Sequence, residues 1–294
     1  MCSSDLGAPA ILHQDSPGVP GDSESGDQFG WTLASDGNLL AVGAPGETTN
    51  GRRWSGAVTL LKFTGVGLAF NALRLTQDSA GFETRAEAHD ELGGHLAVRG
   101  NFVAMGVPDE DLGSARATGI VHVVEVTAAV KPTVKRVYNL HQNSAGIPGV
   151  NETNDRWGSA VALAANIGCT PLSVVIGAPG DKLGRTPSGA VTVVGLGTRC
   201  AARWLPLATF GVAFRYFGRQ IVTLSSAAGG PAPDVVLVGD AFSRAIGNDT
   251  LETGQVVAVT TVNTSRWTAT PVPPRDGYHS GSNYGQRLGL GNHG

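Results

Sequence analysis

The sequence predicts an all-β protein, a β-propeller of four-stranded antiparallel blades. Three observations predict it. An aromatic or apolar residue followed by glycine recurs as Phe29-Gly30, Leu92-Gly93, Trp157-Gly158, Phe217-Gly218 and Tyr284-Gly285, at steps of 63, 65, 60 and 67 residues. A second signal follows the first four pairs in the same order: Gly43-Ala44-Pro45, Gly106-Val107-Pro108, Gly177-Ala178-Pro179 and the degenerate Gly239-Asp240-Ala241. A third glycine, at 56, 119, 189 and 254, opens a run of strand formers in each unit.

Each unit reads as four short strands. In the first they are expected at 29–35, 38–44, 56–63 and 69–76, bounded by turn formers. The first strand brings a large apolar area to wedge between neighbouring blades, and the glycine beside it removes a Cβ where another backbone passes. The second and third strands are apolar on both faces, as in Val174-Val175-Ile176 and Val235-Val236-Leu237-Val238. Such runs are covered on both sides, which small sheets stacked face to face provide. Proline at 45, 108 and 179 cannot donate to a ladder and ends the second strand. The fourth strand leads into a repeated linker: Gln14-Asp15-Ser16, Gln77-Asp78-Ser79, Gln142-Asn143-Ser144.

The order Phe-Gly, then Gly-Ala-Pro, at this period resembles the FG-GAP repeat of the integrin alpha-chain propeller and its secreted bacterial relatives. The resemblance covers residues 7 to 290. It implies an extracellular or cell-surface protein and a ring of about seven blades. On this reading residues 1–6 are non-native or disordered, and 7–28 are the last strand of a preceding blade with its linker. Blades then follow at 29–91, 92–156, 157–216 and 217–283, and 284–294 begin a further one, so the chain is expected to be part of a larger ring. Met1 to Leu6 lack the charged and apolar regions of a signal peptide. With a GTG start they resemble the translated tail of a sequencing adapter; an ordinary polar N-terminus is the alternative. Calcium-binding members carry an aspartate-rich hairpin between the two motifs. Here that hairpin holds Asp36 alone in the first unit, no acid in the second or third and Asp234 alone in the fourth, so no calcium ligand carries over.

Composition narrows the function. With 15% charged residues and a formal net charge of −3, the chain lacks the basic excess that nucleic acid demands. No apolar stretch is long enough to span a bilayer as a helix. The seven histidines form no metal-ligand spacing, and no Gly-X-Ser-X-Gly elbow is present. Neither a cofactor, a metal nor a catalytic residue is therefore expected. The repeated position of His13 and His141 points to blade packing, and Trp31 and Trp157 are expected in the core.

The function expected is binding of an extracellular protein or glycan by an adhesion-type module. The alternative is an accessory propeller of a secreted hydrolase whose catalytic domain lies elsewhere. In an up-and-down blade the second-to-third and fourth-to-first connections share one end, and loops on a rigid scaffold carry recognition. That end gathers the candidate ligand residues Glu47, Arg52, Arg53, Trp54, Asp109, Glu110, Asp111 and Asp181, with solvated loop or turn residues as the alternative for the acids. Trp54 flanked by arginines suits sugar stacking or a protein contact, or else folds back over the blade rim. Cys169 and Cys200 fall in connections at the same, opposite end of one blade. A disulfide between them is expected, two buried inert thiols being the alternative.

Overall fold

A computed structural model describes residues 11–63, 68–167, 171–183, 186–187, 189–197, 203–205, 216–225, 233–240, 255–263 and 266–271. Cys169, Cys200, Tyr284 and Gly285 lie outside the described residues. Four antiparallel sheets of four strands follow one another along the chain. The first holds β1 (Thr32–Asp36), β2 (Leu39–Ala44), β3 (Ala57–Phe63) and β4 (Leu68–Leu75), and the second β5 (His95–Arg99), β6 (Phe102–Val107), β7 (Ile120–Val126) and β8 (Val134–Leu140). The third pairs β9 (Ala160–Ala165), β10 (Leu172–Ala178), β13 (Ala190–Gly195) and β14 (Arg203–Leu205). A two-stranded ribbon of β11 (Lys182–Leu183) and β12 (Thr186–Pro187) fills its middle connection. The fourth holds β15 (Gln220–Leu224), β16 (Val235–Asp240), β17 (Gln255–Asn263) and β18 (Arg266–Pro271). Among the described residues no helix is present, and so none is long and apolar enough to cross a membrane.

The sheets stack as propeller blades. β1, β5, β9 and β15 lie side by side, and a dry layer fills each junction. Leu39, Ala41, Val58 and Leu60 of the first sheet meet Val103, Met105 and Val124 of the second. Val121 and Val123 meet Val161, Val174 and Ile176, and Val175, Val191 and Val193 meet Val236, Val238 and Val257. The runs of the second and third sheets are apolar on both faces because each of those sheets has a neighbour on both sides.

The two glycine signals meet across each junction. A Cβ on Gly43 would lie 2.0 Å from the carbonyl oxygen of Gly93; on Gly106, 2.0 Å from that of Gly158; on Gly177, 1.8 Å from that of Gly218. The glycine of the Gly-x-Pro signal thus admits the next sheet's backbone. The glycine after the aromatic or leucine takes a positive φ, +91° at Gly30 and +101° at Gly93 and Gly158, and a Cβ on Gly93 or Gly218 would also meet backbone, 2.5 Å from Ala57 O and 2.6 Å from Ala190 O. A turn at that point makes the first strand begin later than its pattern suggests: Trp31 N donates to Gln28 O, and β1 starts at Thr32 rather than 29.

Leu92, Trp157 and Phe217 are fully buried in the junctions. Phe29 is only half-buried, Leu33 is 64% exposed, and Trp31 is 67% exposed and not in the core as expected. Thr32 turns toward the second sheet, its Oγ1 donating to Gly94 O, so Trp31 and Leu33 alternate onto the other face. Residues around Leu12 and Val19 cover only part of that face.

Candidate functional site

The β2–β3 and β4–β1 connections share one end of the sheets, and a repeated polar knot ties them together. Gln14 Nε2 donates to Glu47 Oε2 at 2.5 Å, Gln77 Nε2 to Glu110 Oε2 at 2.5 Å, and Gln142 Nε2 to Asp181 Oδ2 at 2.9 Å. Each glutamine ends one unit and each acid follows the Gly-x-Pro signal of the next. Asp27, Asp90 and Asp155, all buried, fold the linker by accepting the backbone N–H of Glu24, Glu87 and Glu152. The histidine position is repeated for its backbone: His13 N and His141 N donate to Ser16 Oγ and Ser144 Oγ, while the His13 ring stands in solvent.

Burial raises several of these carboxylates above their ordinary range. Glu110 is pushed up to about 8, chiefly by desolvation and then by Asp90; Asp90 is pushed up to about 7 and Asp155 to about 6, desolvation again leading. Glu47 is also raised by burial, but Arg74 opposes the shift, its Nη2 lying 2.8 Å from Glu47 Oε1. Carboxylate oxygens of Glu24, Asp27 and Glu47 converge within 4.8 Å of one another, beside this guanidinium. In the second unit the positions of Thr59 and Arg74 are taken by His122 and Asn139, cross-strand partners in the same register. His122 donates from Nδ1 to Asn139 Oδ1 at 2.7 Å; its Nε2 faces Thr84 Oγ1, which accepts from Gln77. Burial lowers His122 to about 4, so the ring is neutral.

The acids expected to contact ligand are therefore mostly engaged internally. Glu47 and Glu110 are buried and Asp181 half-buried in the knot. Asp109 pairs with Arg156 of the next unit at 2.9 Å, and Asp111 accepts Ala117 N at 2.8 Å. Their glutamine partners were legible as a constant separation of 33 residues, Gln14 to Glu47 and Gln77 to Glu110. The separation becomes 39 at Gln142 to Asp181, where the third unit carries six extra residues.

Arg52, Arg53 and Trp54 remain at the surface. They close a tight hairpin: Thr49 and Arg52 exchange both backbone bonds around Asn50-Gly51, whose φ values of +53° and +79° are those of a type I′ turn. Asp78 Oδ2 accepts Asn50 Nδ2 at 2.7 Å and lies 3.9 Å from Arg52 Nη1. The His89 ring sits 5.5 Å from Trp54 at 65°.

At the opposite end the lone acids of the β1–β2 connections also serve packing. Asp36 Oδ2 accepts Gly100 N at 2.8 Å, and buried Asp234 accepts Ala165 N at 2.7 Å and pairs with Arg99, tying three sheets together.

The family model of the FG-GAP repeat matches residues 19–60, from the first linker through β2 and into β3. These residues are thus similar to an FG-GAP repeat. No curated protein matches the chain. The FG-GAP segment contains Phe29-Gly30, Gly43-Ala44-Pro45 and the Arg52–Trp54 hairpin, and the sheets that follow repeat its strand order and its glycine contacts.

Proposed function

We propose that the chain is a non-catalytic, extracellular binding module of adhesion type, which presents the loop end of its blades to a protein or glycan. FG-GAP repeats are typical of extracellular domains. One observation carries the reading. The loop end is made rigid by buried knots in three successive units, and from it the Arg52–Trp54 hairpin projects large side chains that take no part in the knots. A stiff scaffold lowers the ordering cost of recognition. The carboxylates that acid–base chemistry would need are instead bonded within the scaffold.

The test is a panel of immobilised extracellular-matrix proteins and polysaccharides probed with the intact chain. Two variants accompany it: Arg52→Ala/Trp54→Ala at the loop end and Phe63→Thr at the opposite end. Loss of capture with the first and retention with the second is expected. No capture by any surface, or equal loss with both variants, would overturn the proposal.

A further inference from the structure

The first and second blades carry the same loop-end hairpin on different side chains, which separates what the scaffold needs from what it does not. Thr49–Arg52 is matched by Leu112–Ala115, each pair exchanging two backbone bonds. Both hairpins then place a residue in the left-handed region, Trp54 at φ +59° and Ala117 at φ +47°. The next linker is bonded to both in the same way. Glu91 N donates to Trp54 O at 2.9 Å and Arg156 N to Ala117 O at 3.0 Å, while His89 N donates to Arg53 O and Asn154 N to Arg116 O. Alanine therefore suffices at this position of the fold. A tryptophan there adopts a backbone conformation that bulky side chains avoid, and 42% of it remains exposed.

Its neighbour repeats the pattern. Across three linkers the left-handed position is Gly26, His89 and Asn154, at φ +101°, +74° and +69°. Glycine and asparagine are the residues such a site favours. Among the described residues, two bulky rings, Trp54 and His89, occupy these sites together only at the junction of the first two blades, and there they touch each other. Arg52 replaces the alanine of the second hairpin. Among the described residues no acid lies within ion-pair distance of exposed Arg53.

We infer that Trp54, His89, Arg52 and Arg53 form a binding site for an anionic saccharide. This deepens the proposal that the loop end binds ligand and rests on it. An indole supplies a flat apolar surface for the C–H face of a pyranose ring, the imidazole a hydrogen-bonding partner for a hydroxyl, and the guanidinium groups paired donors for a carboxylate or sulfate. The site's apolar surface is the Trp54 ring beside the His89 ring, in a hairpin whose other residues, Asn50, Gly51, Arg52 and Arg53, carry no apolar anchor, whereas a stable protein interface covers about 800 Å² on each partner and centres on clustered apolar anchors.

Titration of the intact chain with polygalacturonate, dextran sulfate, neutral dextran and polyglutamate, followed by calorimetry and tryptophan fluorescence, tests the inference. Binding of one or both anionic polysaccharides is expected, with neutral dextran silent. Polygalacturonate alone would identify a uronic acid as the sugar and dextran sulfate alone a sulfated one. Trp54→Ala and Arg53→Ala should each weaken binding at least tenfold, and His89→Asn, the third linker's residue, less. Trp54→Ala should melt no lower than the wild type, since Ala117 shows the backbone accepts it; a lowered melting temperature would mark Trp54 as structural and overturn the site. Silence of both anionic polysaccharides, or polyglutamate binding as tightly and unaffected by Trp54→Ala, would also overturn it. Capture of another ligand by the loop end in the panel would then leave the binding proposal standing.

Discussion

The first and second blades hold the same buried Gln–acid bond and compensate its charge in opposite ways. In the first, Arg74 reaches Glu47 from β4, and its guanidinium opposes the rise that burial imposes on the acid. In the second, the residue in register with Arg74 is Asn139, which turns to neutral His122. Glu110 is left with an amide for a partner; burial, and then nearby Asp90, push it up to about 8, and burial pushes Asp90 itself up to about 7. One fold thus tolerates a buried carboxylate by pairing it or by protonating it. The glycine contacts, in contrast, are the same in both junctions, which separates the parts of the repeat that sterics fixes from those that charge can vary.

The largest effect should come from what the junctions share. Gly43→Ala and Gly106→Ala each drive a Cβ to 2.0 Å from a neighbouring carbonyl oxygen, with backbone on both sides of the clash. Both should destabilise by about 3 kcal/mol or more, by equal amounts within error, in denaturant melts. A markedly smaller loss at one would show that its junction opens independently.

Charge compensation comes next. Arg74→Met removes the partner of a buried acid and should cost ~2 kcal/mol, below the full value for a buried pair because Arg74 is partly exposed. Adding Glu47→Gln should recover most of that loss. At the second knot the sign reverses with pH. Asp90 and Glu110 have folded-state values, about 7 and 8, above their ordinary ones. Their contribution is therefore fully present below about pH 4 and is lost as pH rises through 7 to 8. Wild-type stability should fall as pH rises from about 4 to about 8 and level off above that, and Glu110→Gln should flatten that fall by on the order of 2 kcal/mol. An unchanged slope in Glu110→Gln would place the titrating group elsewhere.

How much of this was legible in the sequence depended on whether a residue acts through its own strand or through a neighbour. The four sheets, the strand ends at Pro45, Pro108 and Pro179, and the close approach at glycine follow from local sterics and are written in the repeat. Trp31 was read as core because it belongs to the repeat, yet Gly30 turns the chain, and the ring alternates onto a face with little cover. Glu47 and Glu110 were read as loop ligands or solvated acids because a lone carboxylate gives no sign of burial; the information lay in a glutamine 33 residues earlier on another blade. Trp54 was identified as a loop residue, but its left-handed backbone, and the equivalence to Ala117 that gives it meaning, needed coordinates.

A smaller contrast tests the open face. Leu33 and Leu96 hold the same register, paired with Val42 and with Met105, but Leu96 packs into a junction while Leu33 stands in solvent. Leu96→Thr should cost about 1 to 2 kcal/mol in denaturant melts, and Leu33→Thr nothing measurable while reducing self-association in light scattering. Equal losses would mean that something covers the first sheet in solution.

The smallest effect expected is none. Family hairpins that bind calcium need several carboxylates in the β1–β2 connection. The first unit has only Asp36 there, and its Oδ2 is bonded to Gly100 N. The other convergence of acids, Glu24, Asp27 and Glu47, lies at the opposite end, and Arg74 already supplies positive charge at Glu47. A divalent cation would have to displace or repel that guanidinium, giving up an ion pair for each bond it gained. Melting of the wild type with calcium and with chelator should therefore superimpose. A ligand held by the native state at a hundred times its dissociation constant would add about 2.7 kcal/mol, a shift no melt would miss. A calcium-dependent rise in wild type that vanished in Asp27→Asn would show that the acids outcompete Arg74 for the ion, and the two blades would then differ in ligand as well as in charge.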